Sequence, residues 1–108
     1  MNLELRARVA GSAALLGDGD CMRIEYGSRT LILIRHQGAL YCYANSCPHL
    51  GTELDWRPGA FLSPDRQWLQ CATHGALFDI PSGRCIAGPC KGAFLQRFEL
   101  APSSAAEP

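Results

Sequence analysis

The chain has 108 residues, with ten Lys+Arg against ten Asp+Glu and a formal net charge of zero. That length gives one small domain with a single core and no room for a large substrate pocket beside it. The even, interspersed charge excludes the basic excess of a nucleic-acid binder, and a hydrophobic content of 47% excludes a disordered chain.

The opening Met1-Asn2-Leu3-Glu4-Leu5-Arg6 has no hydrophobic signal-peptide core, and no apolar run approaches the roughly 18 residues of a membrane helix. A cytoplasmic location and no membrane contact are therefore expected. Leu3, Leu5, Ala7 and Val9 alternate with Glu4, Arg6 and Arg8, which predicts a half-buried strand. Ser12 to Leu16 is the best helical stretch and is barely a turn long. Gly17-Asp18-Gly19-Asp20 is a turn. Strands are predicted over Cys21 to Tyr26 and Thr30 to His36, separated by Gly27-Ser28. The run Leu31-Ile32-Leu33-Ile34 implies cover on both faces of its strand. Gln37-Gly38 turns into a strand over Leu40 to Ala44. Phe61-Leu62 and Gln67 to Cys71 flank Ser63-Pro64-Asp65-Arg66 as a second hairpin. Strands over Ala76 to Ile80, Arg84 to Ala87 and Phe94 to Leu100 complete the chain, with Pro81-Ser82-Gly83 as a turn. The tail from Ala101 to Pro108 is small, polar and Pro-bearing, and disorder is expected there. The fold class is all-β, one domain over 1–100.

Six cysteines decide the functional reading: Cys21, Cys42, Cys47, Cys71, Cys85 and Cys90. Without an export signal, metal binding is favoured over a disulfide framework. Two segments between strands carry Cys and His at ligand spacing, Cys47-Pro48-His49-Leu50-Gly51 and Cys71-Ala72-Thr73-His74-Gly75. They read C-x-H and C-x-x-H, with 21 residues (50–70) between them. Such a Cys₂His₂ set has the donors for zinc. Zinc fingers, however, pair Cys with Cys and His with His in separate knuckles, whereas each loop here supplies one of each. A Rieske-type [2Fe–2S] rhomb takes both Cys on one iron and both His on the other; if each loop gives one ligand to each iron, C-x-H and C-x-x-H are the spacings that deliver them.

At these residues the chain resembles the Rieske family, over roughly Gly17 to Leu100. The lead-in Leu40-Tyr41-Cys42-Tyr43-Ala44-Asn45, the Pro81-Ser82-Gly83 turn and Gly88-Pro89, matching the family's cluster-shielding proline loop, strengthen the likeness. The resemblance implies an antiparallel β-sandwich with a small cluster-binding subdomain of two loops, at about 45–90. It implies one [2Fe–2S] cluster, with Cys47 and Cys71 on one iron and His49 and His74 on the other. Neutral imidazoles in place of two thiolates leave the oxidised site near neutral and ease reduction. The family's respiratory branch ties its cluster loops with a disulfide, at positions that are Thr52 and Thr73 here. That branch also places Ser and Tyr hydroxyls against the sulfurs, at positions that are Ala76 and Phe78 here. The likeness is therefore to the soluble ferredoxin branch, with a potential at the low end of the Rieske range, roughly −150 to 0 mV.

The resemblance further implies an electron carrier rather than an enzyme. Its partners would be a flavin- or NADH-linked reductase and a terminal, aromatic-ring-hydroxylating oxygenase, and a monomer is expected. An oxygenase fragment is disfavoured by counting: of three His, the cluster takes two and leaves His36, too few for a second iron site. The alternatives are a small subunit of a nitrite-reductase-like complex and a zinc-stabilised, non-redox interaction module. Cys21 and Cys42 are expected to be core thiols, and Cys85 and Cys90 ordinary reduced thiols, with Cys90 near the cluster. His36 is expected at the surface and Trp56 and Trp68 in packing, although Leu50 and Trp56 are also candidates for an apolar collar at the cluster edge. Asp55 to Arg66 looks like an added surface loop.

Overall fold

The computed structural model describes residues 3–48, 51–73 and 75–98. Among these residues there are one helix, α1 (Leu3–Ala13), and six strands: β1 (Cys21–Tyr26), β2 (Arg29–His36), β3 (Ala39–Ala44), β4 (Trp68–Gln70), β5 (Leu77–Asp79) and β6 (Cys85–Ala87). They form two three-stranded antiparallel sheets, ordered β1-β2-β3 and β4-β5-β6. No helix among the described residues is long and apolar enough to cross a membrane.

The first sheet is built by two tight hairpins. The β2–β3 turn puts Gln37 at φ 51° and Gly38 at φ 82°. Two consecutive positive φ angles match the right-handed twist of the flanking strands, and Gly meets the second at no steric cost. β2 divides its apolar run by the period of the pleat. Ile32 and Ile34 enter the larger core with Phe61, Leu69 and Phe78. Leu31 and Leu33 enter a second core on the opposite face. Cover on both faces is therefore present.

The cover on the outer face is α1, which corrects the strand predicted from Leu3 to Val9. Leu5, Val9 and Ala13 are its buried residues, four apart, while Leu3 is 83% exposed. A period-2 strand would bury Leu3 and Leu5 together; a helix puts i, i+4 and i+8 on one face. The short alternation fitted both patterns, and packing on Leu31 and Leu33 selects the helix. Good helix formers (Leu, Ala, Arg, Glu) fill it, and Glu4 lies in its first turn, where the helix dipole favours an acid. At the other end Arg35 of β2 donates to the carbonyls of Ala13 (3.1 Å) and Leu16 (2.9 Å), tying the helix C-terminus and the turn after it to the sheet. The stretch Ser12 to Leu16 is thus the end of this helix and the turn after it.

The last predicted strand, from Phe94 to Leu100, is also corrected. Its described part is extended chain that makes isolated bridges, Arg84↔Phe94 to the second sheet and Tyr43↔Arg97 to the first. Leu95 N–H donates to Gly83 (2.9 Å) and Phe98 N–H to Cys42 (2.9 Å). The segment changes sheets midway and so joins them without a continuous ladder. Leu100 and the tail 101–108 lie outside the described residues.

Candidate metal centre

Two loops carry the Cys–His motifs, and they have the same backbone bonding. In the first, Cys47 N–H donates to Thr52 (2.8 Å) and Gly51 N–H donates to Cys47 (2.7 Å). In the second, Cys71 N–H donates to Ala76 (2.9 Å) and Gly75 N–H donates to Cys71 (2.8 Å). Each cysteine therefore closes a loop with the residues four and five positions on. Gly51 and Gly75 take φ values of 76° and 70°, the left-handed conformation that glycine adopts most readily. The loops touch where Ala72 N–H donates to Leu54 (2.9 Å).

Cys47 and Cys71 are fully buried in the larger core and belong to no disulfide. His49, His74 and Leu50 lie outside the described residues. The surroundings fit a buried thiolate-bound group: Ala76 and Phe78 are fully buried beside the second loop and offer no hydroxyl. Thr52 Oγ1, on the first loop, is buried without a hydrogen-bond partner among the described residues.

The second loop is the connection of the β4–β5 hairpin, with Gln70 opposite Leu77 at its base. The first loop follows β3 and has no return strand among the described residues; side chains hold it instead. Asn45, buried, accepts from Leu54 N–H (2.8 Å) and donates to Asp55 (3.0 Å), bracketing the base of the loop. Asp55, its side chain 1% exposed, also accepts from Gly59 N–H and from Arg23, both at 3.1 Å. Arg23 reaches on to Glu53 through two hydrogen bonds (3.0 and 3.1 Å), and Thr30 donates to the same carboxylate at 2.9 Å. Burial alone would raise the Asp55 carboxyl, but the bonds from Asn45, Gly59 and Arg23 outweigh it and hold the pKa below the usual range. Arg23 does the same for Glu53 more directly.

A third segment closes the site. Gly88, at φ 106°, lies so close to the second loop that an added Cβ would stand 2.8 Å from Ala76 Cα. Cys90 follows in the same segment. Burial raises its thiol pKa first, with Cys85 and then Cys47 adding to the rise. Cys90 thus lies within reach of both Cys85 and the first loop's Cys47. Cys42 is a core thiol pushed up to about 12 by burial; Cys21 is only half-buried, its thiol donating to Gly59 at 3.5 Å.

The turn at Pro81-Ser82-Gly83 is also in place. Asp79 accepts from Ser82 N–H (3.0 Å) and Oγ (2.6 Å), while the Tyr43 hydroxyl donates to Ile80. An added Cβ on Gly83 would meet the Tyr43 ring at 2.7 Å, so glycine is required twice, by φ 76° and by the ring. The packing expected of Trp56 is not found: it is 69% exposed, with the Arg57 guanidinium 4.6 Å from its ring. His36 is partly exposed at the end of β2 and Trp68 is half-buried. The sequence reading missed Arg23 and Asp55, which lie 32 residues apart. The one local signal was Asn45, two residues before the first cysteine.

Among solved structures the chain is similar to the ferredoxin of carbazole 1,9a-dioxygenase from Nocardioides aromaticivorans IC177, at 20% identity and TM-score 0.60 over 80% of this chain and 79% of that one. A chain in the complex of reduced oxygenase and oxidized ferredoxin in carbazole 1,9a-dioxygenase matches at 24% identity and TM-score 0.62, over 81% and 76%. The terminal oxygenase of carbazole 1,9a-dioxygenase from Novosphingobium sp. KA1 matches at 16% identity and TM-score 0.66, over 81% of this chain but 24% of that one. At these identities the likeness is one of fold. No curated protein matches the chain. The family model described as the Rieske [2Fe-2S] domain matches residues 7–99. With that match across nearly the whole chain and the twin cysteine loops beneath it, the protein belongs to the Rieske [2Fe–2S] domain family.

Proposed function

We propose that this chain is a one-electron carrier that holds its [2Fe–2S] cluster through Cys47 and Cys71 on one iron and His49 and His74 on the other. The observation that carries the reading is the twinned loop. Two segments of different sequence make the same pair of backbone hydrogen bonds around a buried cysteine, which suits a group with two equivalent halves. Bound there, the cluster supplies a one-electron couple. The chain's own part is to fix two thiolates in a dry core, to close both loops with glycines, and to exclude water with Ala76, Phe78 and the 88–90 segment.

The donor is a flavin- or NADH-linked reductase and the acceptor a terminal oxygenase, of the ring-hydroxylating kind. Support comes from the family match and from neighbours that include a ferredoxin and an oxygenase of a carbazole dioxygenase. A balanced net charge leaves docking to shape and apolar contact more than to long-range attraction.

The decisive measurement is the EPR spectrum of the dithionite-reduced protein. Mixed Cys/His ligation gives an average g value below that of all-cysteine clusters. His49→Cys should lower the midpoint potential, because a thiolate adds negative charge to the site. A colourless protein carrying zinc, or a His49→Cys variant with unchanged spectrum and potential, would overturn the ligand assignment. Reduction of the oxygenase by this chain, in a mixture with reductase and NADH, tests the partners separately.

A further inference from the structure

Four of the six cysteines lie in the larger core, and two of them have no part in the ligand set. These are Cys85, at the start of β6, and Cys90, five residues on. Their sulfurs are 3.2 Å apart, with the Cys90 thiol donating to Cys85 and the Cys85 thiol donating to the carbonyl of Ala87 at 3.2 Å. The backbone fixes both ends of this contact. Cys85 N–H donates to Ala93 (2.7 Å), Gly92 N–H to Cys85 (2.9 Å) and Ala93 N–H to Cys90 (2.8 Å). The two cysteines thus face each other across the neck of a short loop whose tip, Gly88 and Pro89, is exposed.

We propose that Cys85 and Cys90 form a two-electron dithiol–disulfide site, closed by a hydroperoxide. The pair is almost in bonding position. A disulfide needs its sulfurs near 2.05 Å and its Cβ atoms near 4 Å, which is within reach of thiols already in contact. Cys90 is 9% exposed and Cys85 fully buried, so a small oxidant meets Cys90 first. Burial keeps Cys90 mostly a thiol, so this step is slow and calls for excess peroxide; when its sulfur attacks one peroxide oxygen, the O–O bond breaks, the other oxygen leaves as water or alcohol with the thiol's proton, and Cys90 becomes a sulfenic acid. The Cys85 sulfur then displaces the sulfenic oxygen, which leaves as water carrying the second thiol proton, and the S–S bond forms. Two thiols are oxidised by two electrons and one peroxide is reduced. With Cys47 bound to metal, Cys85 is the thiol left to resolve Cys90. The closed bridge pins the loop that presses Gly88 against Ala76, directly behind the second ligand loop.

The sequence supplies a clean readout. Arg84 and Lys91 flank the pair, so trypsin releases both cysteines in one peptide, 85–91. The purified, cluster-bearing protein is treated with hydrogen peroxide, denatured, alkylated and digested, while visible absorption follows the cluster independently. The expected result is a peptide lighter by two hydrogens that takes no alkyl group, and that takes two after dithiothreitol. In Cys85→Ser, dimedone should label Cys90, where it does not in the parent. A parent peptide that still takes two alkyl groups after peroxide, or Cys90 joined to Cys47, would overturn the proposal. The parent chain alone decides this outcome, so a variant that fails to fold does not shield the proposal. A chain without a cluster would count against the ligand assignment and leave this test intact.

Discussion

The two ligand loops have the same backbone pattern and different supports. The second is the connection of a hairpin, so β4 and β5 hold both its ends through their ladder, and its further supports are Gly88 lying against Ala76 and one backbone bond from Ala72 to Leu54. The first leaves β3 and meets no returning strand among the described residues. Its far end is held by Asn45, Asp55, Glu53 and Arg23, all polar and partly out of water. A loop closed by a ladder needs only a surface to lean on. A loop without one needs directional bonds, and in a core those must be charge-assisted and mutually satisfied. The two loops should therefore fail in different ways.

The largest effect is expected where the polar support is cut at its cation. Arg23→Ala leaves the Asp55 carboxylate buried without its counter-charge, which costs about 3 kcal/mol. Urea unfolding should show the midpoint fall with little change in slope, and the cluster should be lost from the first loop earlier than the second sheet melts. An Arg23→Ala protein as stable as the parent would make the ion pair ornamental. Next comes the steric support. Gly88→Ala forces a Cβ to within 2.8 Å of Ala76 Cα at a positive φ, and strain plus overpacking cost roughly 2 kcal/mol. That damage should appear in the second loop, as faster hydrogen exchange at the Cys71 and Gly75 amides, while the Cys47 and Gly51 amides stay protected.

This asymmetry also explains what the sequence disclosed. The second loop and its hairpin are local, and alternation with turn residues placed β4, β5 and the Ser63-Pro64-Asp65-Arg66 turn correctly. The β1–β2–β3 meander was legible for the same reason, its registers being set by the two-residue turns at Gly27-Ser28 and Gln37-Gly38. The ligand spacing around Cys47 and Cys71 was legible because a metal demands it. The support of the first loop was not, because Arg23 lies 30 and 32 residues from its carboxylates and nothing in a local pattern joins them. The helix escaped for a related reason. Leu31 to Ile34 announced a cover for the outer face, but four alternating residues cannot tell a strand from the start of a helix; the partner face decides. The final segment, read as a strand, pairs with two sheets in turn and so never completes a ladder with either.

Acid provides a third, smaller probe of the same difference. Asp55 and Glu53 are held below their ordinary pKa values in the folded chain. Their contribution is fully present above the unfolded carboxylate value, near pH 4, and is lost as pH falls through the lower folded values. The parent Tm should thus drop steeply from about pH 4 downward. Asp55→Asn, although less stable at neutral pH, should show a shallower drop, because one of the two depressed carboxylates is gone. Identical slopes would mean that these carboxylates do not set the acid limit of the first loop.

The smallest effect is expected at Trp56, and it separates the two roles of the long interval between the loops. Asp55 to Arg66 read as an added surface loop, yet its first residue is the hub of the first loop's support and Phe61 is fully buried in the larger core. Trp56, between them, is 69% exposed and stacks on Arg57 at 4.6 Å. An exposed cation–π pair contributes little, so Trp56→Ala should change unfolding free energy by about 0.5 kcal/mol or less. The same variant should leave the urea slope and the protection of the Cys47 amide unchanged. A fall beyond about 1 kcal/mol would show that the indole covers the first loop and that the interval braces the site along its whole length. A neutral result confines that bracing to Asp55 and Phe61.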